Sequence, residues 1–126
     1  MSHFSTIKTK IKEKPYLIKA LQHLQYIVKE DQELVNPFDH QHEKVKVDVS
    51  IGNDIGFRLN KDGVYELVAD IQTWKDSVPP RRFIEKVTQQ YAKVTIVDTI
   101  TEKGFTINEE STTIDNTIEL VATRWQ

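Results

Sequence analysis

The sequence predicts an α+β fold. It reads as a mainly antiparallel sheet with two helices on one face, in the order β-α-β, three-strand meander, α, β-β. Three observations carry this. Val45, Val47, Val49 and Ile51 alternate strictly with polar residues, and two similar runs follow across short Asx/Gly turns. Two other stretches place apolar residues three and four apart, each just after a proline. The length of 126 residues predicts one domain spanning 1–126, large enough to bury a core without staples.

In chain order, residues 3–11 alternate loosely, with Ile7 and Ile11 on one side and Phe4, Thr6 and Lys8 on the other, which predicts a first strand. Pro15 then stands where a first helical turn lacks N–H partners. Leu17, Leu21 and Leu24 follow at i, i+4, i+7, widened by Ile18 and Ala20. "YIVKE" (26–30) reads as a short second strand. Residues 31–43, with Asn36-Pro37 as a turn signal, read as the longest irregular stretch. The meander then runs through "KVKVDVSI", "IGFRL" and "VYELVADI", turning at "GND" and "NKDG". Its single apolar face predicts one covered side, carrying the helices.

"DSVPPRR" ends the sheet, with Ser77 or Asp76 as candidate cap and Pro79-Pro80 as a helix start. Ile84, Val87, Tyr91, Val94, Val97 and Ile100 form one stripe from there to Gly104, a helix stop. The β propensity of "VTIVDTI" alone would end the helix near Ala92 and start a strand. The period predicts that the helix continues. "FTINEE" and "TIELVATRW", joined by a loop carrying Asp115-Asn116, read as two final strands.

Composition narrows the function classes. A net charge of −2 argues against a dedicated nucleic-acid binder, which carries a basic excess. No run approaches the ~20 apolar residues of a membrane span, so the reading is a soluble protein. With no cysteine, disulfides, thiolate metal sites and cysteine nucleophiles are excluded. No Gly-rich phosphate loop, nucleophile elbow or HExxH motif is present, so no catalytic, cofactor-binding or metal-binding residue is assigned.

Four features remain as candidates. His40 and His42 in "DHQHE" would point to one side of an extended segment and could share a metal, but they lack the third and fourth ligands zinc requires. Arg81 and Arg82 open the second helix, where the dipole disfavours cations and exposed N–H groups favour anions. Asp54, Asp70, Asp76, Glu66 and Glu85 supply carboxylates that no motif pairs, and Asp54 suits its turn for backbone reasons. Trp74 and Trp125 are either core residues or interface anchors.

Several strings, in order, resemble one family: "MSHFSTIKT" at the start, "DIGF" at 54–57, "YELVAD" at 65–70, Trp74, "TQQYA" at 88–92, "GF" at 104–105 and "RW" at 124–125. Together they are similar to the hypothetical chloroplast open reading frame thirty-five family of plastid and cyanobacterial proteins of unknown function, over essentially the whole chain. The resemblance implies a plastid-encoded stromal protein, with the cyanobacterial cytoplasm as the alternative, and a second helix that runs through "TQQYA". It brings no site residues. The opening "MSHFSTIKTKIKEKP" mimics a transit peptide, being basic and hydroxylated with Glu13 as its first acid. Because it runs directly into the Pro-started helix and matches the family's opening, it is read as the first strand.

Two function classes follow. The first is a non-enzymatic accessory protein that binds a protein partner through a sheet edge or helix face. The second is a small ligand- or anion-binding domain or enzyme with a site near Asp54, Asp70, Trp74 and Arg81-Arg82. Nucleic-acid binding would require the lysines of the first strand to cluster with those arginines.

Overall fold

A computed structural model of the chain describes residues 4–36, 43–52, 54–75, 77–113, 115 and 117–124. Among them the elements run β1 (Ser5–Lys8), α1 (Lys14–His23), β2 (Lys29–Val35), β3 (Lys44–Ser50), β4 (Ile55–Leu59), β5 (Tyr65–Ala69), α2 (Pro80–Glu102), β6 (Phe105–Thr112) and β7 (Ile118–Arg124). This is the predicted α+β order. One antiparallel sheet has strand order β1-β5-β4-β3-β2, and β6 and β7 form a second, two-stranded sheet.

Both helices cover one face of the large sheet. Leu17 and Leu21 of α1 and Phe83 and Val87 of α2 meet Val49, Phe57, Tyr65 and Leu67 in one buried cluster that also holds Ile11. Each such aliphatic or aromatic side chain contributes about 1.5–3 kcal/mol by leaving water. The Phe83 ring is the centre of an aromatic group, with Tyr26, Trp74 and Phe57 around it at centroid distances of 5.6, 5.5 and 6.1 Å.

The N-terminal segment is built into this core. β1 pairs along β5 from Ser5↔Ala69 to Lys8↔Glu66. Past the strand end, Thr9 Oγ1 donates to the Tyr65 carbonyl at 2.7 Å and Tyr65 N–H donates to the Ile11 carbonyl at 2.8 Å.

Two expectations need correction. The second strand begins at Lys29 and continues to Val35, through residues expected to be irregular, and Ile27 is 83% exposed. The cause is its edge position: Lys29 to Glu33 are all exposed, so burial imposes no alternation on them. The run Val45, Val47, Val49 and Ile51 does not share one core. Val49 lies in the helix-side cluster, whereas Val47 packs with Leu34 and Val68, beside Phe4 and Val45, in a second one. The change falls at Asp48. There Asp48 Oδ2 accepts the Leu59 N–H at 2.8 Å, and β3 pairs with β4 only at Val49↔Phe57 and Ser50↔Gly56. On the β2 side, Asp31 has φ +52°, a left-handed conformation that bends the strand. Adjacent residues Leu67 and Val68 are therefore buried on opposite faces of β5.

α2 keeps its period to Glu102, as the apolar stripe predicts, and ends at Gly104, whose φ of +89° suits glycine. Its N-cap is Pro79, with no side-chain cap; Ser77 does not take that role, and Asp76 lies outside the described residues.

Candidate functional site

The residues singled out by sequence take separate local roles, although the antiparallel β4–β5 register, with Ile55 opposite Ala69, brings Asp54 alongside Asp70, and Trp74 packs on Phe83 next to Arg82. Asp70 is 3% exposed and accepts from Asn36 Nδ2 and the Gln72 N–H, both at 2.9 Å, which makes it a buried structural acceptor. Trp74 donates from Nε1 to the Val78 carbonyl at 2.6 Å and packs edge-on against Phe83, so it belongs to the core side. Asp54 is half-buried in the turn before β4. Arg81 and Arg82 are exposed, and Arg82 pairs with Glu85 at 3.7 Å, one helical turn on. Glu66 stands opposite Lys8 and Arg58 across its two neighbouring strands. His3, His40, His42 and Trp125 lie outside the described residues. Among the described residues no group of three His, Asp or Glu side chains is placed to hold a metal ion.

In the basic opening segment, Lys8 and Lys14 are held by carboxylates of the chain itself. Lys8 pairs with Asp62 at 2.9 Å, and Lys14 with Glu30 at 3.0 Å and Asp31 at 3.8 Å. These carboxylates raise the affinity of both ammonium groups for their protons.

A different arrangement emerges at the C-terminal end. Gly104 turns the chain so that the β6–β7 hairpin comes back alongside α2. Lys93 of α2 forms an ion pair with Glu110 of β6. Between helix and hairpin lies a cleft of about 510 Å³. Arg82, Lys86, Lys93 and Ile96 form its helix wall, and Ile118 and Leu120 of β7 face them. Ile96 is 49% exposed. At the hairpin turn Asp115 accepts from the Thr113 hydroxyl and from the Thr117 N–H. The Thr113 and Thr117 hydrogen bonds hold the Asp115 carboxyl below the usual aspartate value.

Sequence reasoning missed this cleft. Its helix wall was visible in principle: Arg82, Lys86 and Lys93 stand at i, i+4, i+11 on a stripe offset from the buried Phe83, Val87 and Val94. The facing β7 residues were not, because nothing local states which surface a hairpin returns to.

Among the described residues no helix is long and apolar enough to cross a membrane. The model of the family described as "Protein of unknown function (DUF1257)" matches residues 20–121. A protein of Pyropia yezoensis described as "Uncharacterized protein ycf35" is 32% identical over 99% of this chain and 98% of its own length. Proteins with the same description from Cyanophora paradoxa and Guillardia theta are 32% and 34% identical, each over 100% of this chain and 99% of the relative. No solved structure matches the chain.

Proposed function

The chain belongs to the hypothetical chloroplast open reading frame thirty-five family, and from that premise we propose that it is a non-enzymatic accessory protein of the plastid stroma that holds a protein partner at the α2–hairpin face. One observation carries this reading. The β6–β7 hairpin is a two-stranded sheet separate from the large one, with a half-open cleft between it and α2. An isolated two-stranded hairpin is marginal in water. Covering the gap between Ile96 and Ile118 or Leu120 would remove apolar surface from solvent and steady the hairpin at once. The large sheet offers less. Its β2 edge presents Lys29, Glu30, Asp31 and Glu33 to solvent, a composition that blocks strand addition.

The test is affinity capture of the tagged protein from plastids alongside two variants. The expected result is a partner that co-purifies with the wild type and with Lys61→Glu, in the β4–β5 turn, and is lost from Ile96→Glu. A monomer that brings no partner contradicts the reading, and recovery of the protein in the membrane pellet contradicts its stromal part.

A further inference from the structure

We infer that the cleft takes an acidic, extended segment of the partner protein, laid along α2 from Lys93 towards Arg82, with an apolar side chain seated between Ile96 and Leu120. This rests on the partner-binding reading and adds the chemistry of what is bound.

Positive charge gathers along one side of α2. The first turn of α2 has no acidic residue and its N-cap offers no side-chain hydrogen bond, so among the described residues of that turn nothing offsets the positive end of the helix dipole. Arg81 and Arg82 add to it. Three cations, Arg82, Lys86 and Lys93, line the cleft on that side. The chain itself shows which chemistry the wall accepts, since Lys93 already holds the Glu110 carboxylate. Further along the same wall, Lys86 makes no ion pair among the described residues, and the Arg82–Glu85 pair is exposed on both sides and so readily exchanged. A partner carboxylate at Lys86 would continue the row that Glu110 begins.

The opposite wall sets the shape. β7 pairs only with β6 among the described residues, leaving one row of its backbone N–H and C=O groups open. Its Ile118 and Leu120 side chains line the cleft. A segment added along β7 would draw main-chain hydrogen bonds from the strand and send alternate side chains towards the helix. Glu85 and Asp115 also line the cleft, so a partner carboxylate is favoured at Lys86 and uncharged residues beside those two; a phosphate backbone, charged at every unit and without amide groups for the β7 edge, fits less well.

The probe is a short fluorescent peptide alternating Glu with Val, followed by anisotropy with the full chain. The expected result is saturable binding, weakened about tenfold or more by Lys86→Glu, restored by Lys86→Arg and reduced by added salt. Equal binding of a Lys-Val peptide, no saturable binding, or no effect of Lys86→Glu in a variant with unchanged circular dichroism would overturn the inference. So would displacement of the peptide by a single-stranded oligonucleotide. Capture from plastids separates this inference from the reading beneath it. A partner kept by Lys86→Glu but lost from Ile96→Glu leaves partner binding intact and rejects the acidic segment.

Discussion

Asn36 donates from Nδ2 to the Asp70 carboxylate at 2.9 Å, with both side chains buried. The two residues directly follow β2 and β5, which are separated in the sheet by β3 and β4. On a flat sheet three strand spacings put such positions about 14 Å apart. The contact therefore measures how far the β2–β3 end curls over the back of the sheet, where Leu34, Val47 and Val68 form the second core.

Replacing Asp70 tests that closure. Asp70→Ala removes the acceptor for Asn36 Nδ2 and for the Gln72 N–H, and is expected to cost about 1–3 kcal/mol in urea unfolding. Asp70→Asn keeps the volume and one acceptor oxygen, and is expected to cost less. Equal losses for the two would mean that the hydrogen bonds do not hold the curl.

Gly56 tests the same curl from the middle of the sheet. A Cβ there would stand 2.8 Å from Val47 Cγ2 and 2.8 Å from the Val49 carbonyl oxygen. Gly56→Ala should destabilise by about 1–3 kcal/mol, as overpacking does. Adding Val47→Ala should not restore stability, since the backbone contact at Val49 remains. Thermal melting of both variants decides it.

The N-terminal segment is structural. Deleting residues 2–11 removes β1, the Thr9–Tyr65 hydrogen bond and the buried Ile11. The expected product is unfolded by circular dichroism. A truncated protein that melts like the full chain would contradict this placement.

At the hairpin turn the prediction is a titration. The Asp115 carboxyl titrates below the ordinary 3.8 because the Thr113 and Thr117 hydrogen bonds favour its charged form. The unfolded chain therefore holds that proton more tightly, so the turn's stabilisation is present above the ordinary value and is lost as pH falls through the folded one. Carboxyl NMR should show a depressed midpoint that moves up on Thr113→Val. A midpoint unmoved by that substitution would contradict the assignment.

What was legible in the sequence follows burial. α2 was readable to Gly104 because Ile84, Val87, Tyr91, Val94, Val97 and Ile100 keep one helical period, which overrode the β propensity of "VTIVDTI"; Val87 and Val94 of that stripe are buried. The meander was readable because large apolar residues, Phe57, Tyr65 and Leu67 among them, recur at every second position across tight turns, even though Gly56 and Val68 on the opposite face are buried too. β2 was misplaced because an edge strand of exposed Lys, Glu and Asp has no burial to report, and only Leu34 anchors it. The change of face at Asp48 was illegible because strict alternation describes a straight strand. It is the side-chain bond from Asp48 to the Leu59 N–H that replaces a regular pairing there. The cleft depends on which surface the hairpin returns to, a long-range relationship marked by Lys93 and Glu110, which no local pattern encodes.

The central claim is that the α2–hairpin face binds a protein. A photo-crosslinking amino acid placed at position 96 or 118, one on each wall of the cleft, reads this directly in illuminated plastids. The predicted result is one discrete protein adduct from both positions and none from position 61, in the β4–β5 turn. Equal labelling at position 61, or no adduct at 96 and 118, would contradict the account.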